Sequence, residues 1–354
     1  MAGHATLEET LRRHAREAAP ELVRGEGRGR VRCLACGHRC LVGPGRSGVC
    51  RVRFNEGGVL RVPTGYVAGL ACDPVEKKPF FHFLPGNGAL SFGMLGCDLH
   101  CSYCQNWVTS QALRDPAALA PIRPVSAGRI VELALADGAP IVCSTYNEPL
   151  ITSEWAAEVF GLARTAGLRC AFVSNGNATP EVLDYLAPLV DAYKVDLKSF
   201  DEASYRRLGG VLGNVLETIR GVRGRGMWLE VVTLVVPGFN DGPEELRAMA
   251  SFIAGVSPDI PWHVTAFHEN YRMRGCGATR APALVRAAEI GRAEGLRFVY
   301  AGNLHGDAGG LEDTRCPGCG ATVVSRCGFR VTANRMAAGG RCPECGGSIA
   351  GVWG

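Results

Sequence analysis

The feature that most narrows the fold is an alternation of short apolar runs with amphipathic stretches across residues 88–306. Apolar runs fall at 89–94, 141–144, 171–173, 192–197, 229–236, 263–267 and 298–301, with helical patterns between them at 126–137, 152–166, 179–190, 243–254 and 283–294. Thr179 followed by Pro180 is a helix start, and Gly167 and Gly295 are helix stops. Successive strands separated by helices must be joined by crossovers and so run parallel. The expected fold class is α/β, either an open sheet or a barrel of β/α units. Both forms place their active site at the C-terminal ends of the strands.

A chain of 354 residues can form one large domain of this kind with smaller appendages. Before it, residues 1–32 are expected to hold an N-terminal helix and linker. Thr6-Leu-Glu-Glu reads as a capping box, and Leu7, Leu11, Ala15 and Ala18 share one helical stripe, so the helix is predicted from Thr6 to about Ala19. Residues 33–87 form a glycine- and proline-rich accessory segment with five cysteines, 88–306 the β/α domain, and 307–354 a C-terminal module built around two Cys-x2-Cys knuckles.

The net charge of +4 is scattered, which speaks against a nucleic-acid partner. No apolar run is long enough to cross a membrane, and the N-terminus mixes arginine with glutamate where an export signal would be apolar. A cytoplasmic location without membrane association is the expectation. In that compartment thiols stay reduced, so sixteen cysteines point to metal or cluster ligation more than to disulfides.

Residues 91–107 read SFGMLGCDLHCSYCQNW and follow the first candidate strand, which puts Cys97, Cys101 and Cys104 on a loop at the catalytic rim. A four-iron cluster has four iron sites, and three cysteines leave one open to chelate another molecule. Two alternatives stand beside this reading: a catalytic zinc with His100 as fourth ligand, and three cysteines that only pack.

Cys33, Cys36, Cys40 and Cys50 offer four soft ligands for zinc or an additional Fe-S cluster. Cys316, Cys319, Cys342 and Cys345 have the paired spacing of a zinc ribbon, with Cys327 as an alternative ligand. Cys143 and Cys170 lie in apolar strands and are expected in the core. Cys72 and Cys276 receive no role.

The Cys-x3-Cys-x2-Cys spacing, with Tyr103 before the last cysteine, resembles the signature of the radical S-adenosylmethionine (SAM) superfamily. The resemblance implies a partial (β/α)6 TIM-like barrel, a 4Fe-4S cluster on Cys97, Cys101 and Cys104, and SAM as cofactor. IVCSTYNEP at 141–149 stands where relatives carry a Gly-Gly-Glu-Pro-like element, which assigns Asn147 and Glu148 to the SAM ammonium. Here Tyr146 and Asn147 replace the two glycines. The same resemblance carries cofactor contacts onto Tyr103, Ser174, Asn175, Asp196, Lys198 and His268, and places TLVVPGFND at 233–241 on the substrate side.

Across most of its length the chain resembles the radical SAM members of the AmmeMemoRadiSam system, relatives of the pyruvate formate-lyase activating enzymes. The likeness rests on CLACGHRC at 33–40, GRSGVCRVR at 45–53, DPVEKKPFFHF at 73–83, GNLHG at 302–306 and the terminal cysteine pairs. Asp98 stands where asparagine is more usual. This likeness implies hydrogen abstraction from a protein or peptide, Memo-like and AMMECR-like partners, and a flavodoxin- or ferredoxin-type electron donor. The competing expectations are a radical SAM lyase or mutase acting on a small metabolite, and a non-catalytic metal-binding nucleic-acid module.

Overall fold

The computed structural model describes residues 7–304 and 309–354. Thr6, His305 and Gly306, which carry parts of the predicted cap and of the GNLHG motif, lie outside the described residues. The central sheet comprises β1 (Gly69–Pro74), β2 (Gly88–Gly93), β3 (Ile141–Ser144), β4 (Arg169–Ser174), β5 (Ala192–Asp196), β6 (Trp228–Val235), β7 (Trp262–Ala266) and β8 (Val299–Gly302). Spatial order follows chain order; β1 is antiparallel to β2, and all other neighbours are parallel. The helices are α1 (Ala127–Ala136), α2 (Ser153–Thr165), α3 (Pro180–Leu186), α4 (Glu202–Leu208), α5 (Leu212–Gly224), α6 (Pro243–Val256) and α7 (Ala281–Ala293). Each strand from β2 to β7 is thus followed by helix, six β/α units in all, and β8 adds a further parallel strand.

Local chemistry starts several helices. Ser126 accepts a hydrogen bond from Arg129 N at 3.2 Å, Thr179 Oγ1 from Val182 N at 3.1 Å, and Asp201 from Ser204 N at 2.6 Å. Helix α4 ends on Gly209 at φ +84°, a left-handed stop that favours glycine. The helices lay apolar stripes on the sheet: Ile130 and Ala134 of α1, Trp155, Val159 and Phe160 of α2, and Met249 and Ile253 of α6 are all buried in one core.

The N-terminal region differs from its expected form. The first helix spans only Leu7–Arg13, and Ala15–Glu17 is a strand paired antiparallel with Val59–Pro63. Pairing with a strand more than 40 residues away overrides the local helical stripe, whose Ala15 and Ala18 are too small to hold a helix by burial. Val31–Cys33, flanked by Val23–Gly25 and Leu41–Val42, makes a second small sheet that runs through the boundary expected at 32/33. Likewise β1, expected within the cysteine-rich segment, is an edge strand of the central sheet.

Arg53 ties this module to the barrel. Its guanidinium grips Glu154 of α2 through two 2.7 Å bonds, with the two side chains 1% and 2% exposed. Removing one partner strands a charge in the interior, so Arg53→Ala is expected to cost about 3–5 kcal/mol of unfolding free energy. Urea denaturation is the measurement; a loss below about 1 kcal/mol would show that Glu154 finds another partner.

The C-terminal module, with strands Thr314–Arg315, Thr322–Cys327 and Arg330–Asn334, packs on the barrel through Phe81, Phe298 and Tyr300. Buried Arg326 reaches across to donate to the Phe81 carbonyl at 2.7 Å, with its guanidinium 4.2 Å from the Phe81 ring centroid.

Candidate active site

The loop after β2 approaches its neighbour so closely that side chains are excluded. A Cβ on Gly93 would meet the Thr145 carbonyl oxygen at 2.2 Å, and Gly96, at φ +95°, faces Val52 Cγ1 at 2.9 Å. Beyond Gly96 the three thiols turn inward. The Cys97 sulfur accepts from Leu99 N at 3.3 Å and from Asn175 Nδ2 at 3.9 Å, and the Cys104 sulfur lies 3.2 Å from Ser110 Oγ. Burial pushes all three thiols up, Cys101 to about 12. Thiolates in such a site need the positive charge of a metal, and the donated N–H bonds suit a sulfur that is permanently anionic.

His100 does not complete a four-ligand set. Its ring packs on Gly209, where an added Cβ would meet His100 Cε1 at 2.4 Å, and it is absent from the wall of the cavity that Cys97, Cys101 and Cys104 line. Among the described residues the triad is not drawn into a tight group with all sulfurs within 4.8 Å. Three spread thiols without a fourth protein ligand fit a cluster, which holds each thiolate on a separate iron, better than one zinc ion.

The cavity has a volume of about 490 Å³; it is lined at the C-terminal ends of the strands by residues such as Ser174, Asp196, Leu234 and Gly302, and reaches His263 and Tyr300 near the N-terminal ends of β7 and β8. Tyr103, Asn147, Glu148, Ser174, Asn175, Asp196 and Lys198 all line it. Asn147 Oδ1 accepts from Met94 N at 2.9 Å and so braces the cysteine loop. Glu148 accepts from Ser174 Oγ at 2.7 Å, Asn175 N at 2.7 Å and Leu150 N at 3.1 Å. Burial first, and then the charge on Asp98, push its carboxyl well up. Lys194 and Asp196 on β5, and Lys198 two residues past its end, follow the period of two. Lys194 bonds to Asp196 Oδ1, and Lys198 Nζ lies 3.0 Å from Oδ2. Burial works against charge on this group, yet the two lysines hold Asp196 down to about 2, and Asp196 in turn lifts Lys198 well above the usual lysine range. His268 stands apart from its companions: it is not in the cavity wall, and its Nε2 lies 2.8 Å from the Asn303 carbonyl oxygen.

Sequence reasoning missed the network beneath the triad. Asp98, fully buried, accepts from Asn175 Nδ2 at 2.7 Å and Asn177 Nδ2 at 2.8 Å, so the residue beside the first cysteine holds the β4 loop in place. It also missed Lys78, which pairs with Asp73 at 2.8 Å and sits under the Tyr146 ring at 4.9 Å. The period of two on β5 could have found Lys194; no local signal could have found the other two.

At the C-terminus, Cys316, Cys319, Cys342 and Cys345 bring four sulfurs within 4.8 Å of one another, with Cys316–Cys345 and Cys319–Cys342 each at 3.6 Å. A tetrahedral zinc with bonds of about 2.3 Å places its sulfurs roughly 3.8 Å apart, so this quartet fits that ion. Cys327 is outside the group and exposed. Cys33, Cys36 and Cys50 are buried and Cys40 is half-buried, but among the described residues this quartet does not form so tight a group. Cys143 and Cys170 are fully buried in β3 and β4.

A β/α sheet whose strand-end cavity carries a three-thiol loop defines an enzyme of the radical-generating iron–sulfur class. The radical SAM superfamily model matches residues 93–253, and the chain belongs to that superfamily. Membership implies a 4Fe-4S cluster and SAM. An uncharacterized protein of Methanocaldococcus jannaschii is 35% identical over 323 residues, 90% of this chain and 95% of that protein. The isethionate sulfite-lyase activating enzyme of Oleidesulfovibrio alaskensis is 30% identical over 123 residues, 33% of this chain and 40% of that enzyme. Among solved structures, a domain of a pyruvate-formate lyase-activating enzyme from Bacteroides vulgatus superposes with a TM-score of 0.41 at 19% identity, covering 46% of this chain and 98% of that one. Streptococcus suis SuiB bound to precursor peptide SuiA superposes with a TM-score of 0.48 at 16% identity, covering 65% and 52%. No helix among the described residues is long and apolar enough to cross a membrane.

Proposed function

We propose that the chain is a radical SAM enzyme of the AmmeMemoRadiSam type that abstracts hydrogen from a protein or peptide, in the manner of an activating enzyme. The observation that carries the reading is the set of three thiols, Cys101 buried and Cys97 and Cys104 half-buried, without a fourth cysteine or histidine beside them among the described residues, opening onto a cavity that also holds the Asp196 and Lys198 pair. When bound, the cluster supplies the electron that splits SAM to methionine and a 5′-deoxyadenosyl radical.

The chain's own residues do the rest. Cys97, Cys101 and Cys104 hold the cluster, and Asn175 and Leu99 donate to the Cys97 sulfur. Glu148 and Asn147 offer acceptors to an ammonium, Lys198 a cation to a carboxylate, and Asp196 an acceptor to ribose hydroxyls. Ser174 and Asn175 fix Glu148 in place. Tyr103, 4% exposed and packed on Phe239 at 5.6 Å between ring centroids, walls off water beside the thiols. His268 acts from the rim, through the backbone at Asn303. Cys316, Cys319, Cys342 and Cys345 hold a structural zinc, and Cys33, Cys36, Cys40 and Cys50 a second metal or cluster. Memo-like and AMMECR-like proteins are the proposed partners, a flavodoxin or ferredoxin the electron donor, and the cytoplasm the location that keeps these thiols reduced.

Anaerobically reconstituted protein, reduced in the presence of SAM and a deuterated protein fraction, is expected to release 5′-deoxyadenosine carrying deuterium. Transfer from a deuterated metabolite fraction, with none from protein, would replace the polypeptide by a small substrate.

A further inference from the structure

The cavity has two walls of different chemistry. Residues assigned to the cluster and to SAM come mainly from β2 to β5 and the loops that follow them. On the opposite wall, made by β6, β7 and β8, one histidine is held in a defined state. Buried Glu230 of β6 accepts from Phe81 N at 3.0 Å, His82 N at 2.9 Å and Trp228 Nε1 at 3.0 Å, and lies 2.6 Å from His263 Nε2. Four N–H donors converge on the Glu230 carboxyl, an arrangement that suits its ionised form. An ionised carboxylate only accepts, so Nε2 of His263 carries the proton, and in neutral imidazole Nδ1 is then a lone-pair acceptor.

His263 is 2% exposed and lines the cavity, yet among the described residues Nδ1 has no hydrogen-bond partner. Nδ1 keeps contact with the cavity, so its lone pair is open to a ligand group bound there. Strand register gives its depth. Asp196 is opposite Val232, Val232 opposite His263, and His263 opposite Tyr300. His263 therefore occupies the same layer as Asp196, two strand spacings or roughly 10 Å away. That separation leaves room for a second molecule beside the one Asp196 contacts.

The surroundings select the ligand's polarity. The lysines of the cavity are gathered elsewhere: Lys77 and Lys78 share Asp73, and Lys194 and Lys198 share Asp196. Val232 and Leu234 line the adjoining wall with apolar surface. An anion would meet a lone pair there, whereas a donor would complete it.

We infer that His263, oriented by Glu230, is a substrate-binding residue that accepts a hydrogen bond from an N–H group of the substrate, an amine or a peptide amide, held in the β6–β8 half of the cavity. The inference rests on the radical SAM reading of this cavity and adds the chemistry of the substrate group that the cavity takes. Glu230 is a positioning residue, acting only through the imidazole tautomer.

Ligand-observed saturation-transfer NMR on the cluster-reconstituted full chain with SAM, at pH 8, tests this with three probes: N-methylacetamide, n-butylammonium and butyrate. Saturable binding of an N–H probe with none of butyrate is expected, and the better of the two N–H probes separates an amide from an amine. His263→Leu, which leaves Glu230 its three other donors, should weaken that probe about tenfold, the loss of one hydrogen bond from a buried site. In Glu230→Gln the new amide can donate to Nε2, moving the proton to Nδ1, and the preference should shift toward butyrate. Butyrate binding as tightly as the N–H probes to the unaltered protein, no binding of either N–H probe, or unchanged affinity in His263→Leu would each overturn the assignment. The readout needs no turnover, so failure here and failure of SAM cleavage are separate results.

Discussion

Replacing any one of Cys97, Cys101 and Cys104 with alanine is expected to bring 5′-deoxyadenosine formation down to the level without enzyme. On the proposed reading each thiol holds one corner of the cluster, and among the described residues His100 is no substitute, since it is turned onto Gly209. The site also resists partial occupancy. Burial pushes the thiols up, so without a full complement of metal charge the remaining two would take up protons and release the iron. Cys72→Ala serves as the control: this residue is exposed on β1 and belongs to none of the three cysteine groups. Iron content and nucleoside product, measured on the same anaerobic samples, give the answer. Product at the unaltered level in a triad variant, or in all three, would move the chemistry elsewhere in the chain.

If the C-terminal quartet holds a zinc ion as proposed, Cys342→Ala, or treatment with a chelator, is expected to unfold the C-terminal module and lower stability by on the order of 5 kcal/mol. Isolated zinc-finger peptides lose about 10–16 kcal/mol with their ion, and here contacts with the barrel offset part of that loss. The module has little else to hold it. Its buried cluster comprises Cys316, Val323, Val324, Cys342 and Ile349, completed by Phe81, Phe298 and Tyr300 from the barrel side. Its departure would also withdraw Arg326 from the Phe81 carbonyl and from Thr314 Oγ1, now 2.7 and 2.8 Å away. Phe81 touches both Tyr300 and His263, at 4.8 Å between ring centroids in each case, so the β7–β8 wall of the cavity would be exposed to water. Hydrogen exchange should show protection lost across 314–350 and weakened at 81–83, with calorimetry giving the stability change. Unchanged exchange in 314–350 after the metal is gone would make the quartet dispensable for folding.

What was legible in the sequence was legible because it is local. A strand of four to eight residues, a helix of one stripe and a cap such as Thr179-Pro180 each announce themselves within a few positions, which is why the strands and five of the six β/α units could be placed from their pattern, while helices α4 and α5 were not read. Ligand spacing is local too. Cys97, Cys101 and Cys104 sit on a single loop, and the two terminal knuckles need only come together in pairs. The seven candidate strands therefore coincide with β2 to β8 to within a few residues.

Other features depend on partners distant in the chain. Residues 14–19 carry a helical stripe, but a strand across from Val59–Pro63 offers them backbone pairing that the stripe cannot match. Strand β1 looked like part of a loop-rich accessory segment until its pairing with β2 made it an edge of the sheet. The Asp98 bonds to Asn175 and Asn177 span nearly 80 positions, and the packing of His268 near Asn303 is settled by how β7 and β8 end.

Composition, spacing and periodicity thus determined the class of sheet, the three-thiol loop after β2 and the pairing of the terminal cysteine knuckles. Only the tertiary structure decided which acceptors were already spent and which remained open. The proton on His263 is set by a carboxylate 33 positions earlier, and its depth by strand register, and neither leaves a mark in the residues around it. Hydrogen-bond satisfaction is a property of the packed interior, in which each polar atom has its partner chosen by the fold and not by its neighbours in the chain.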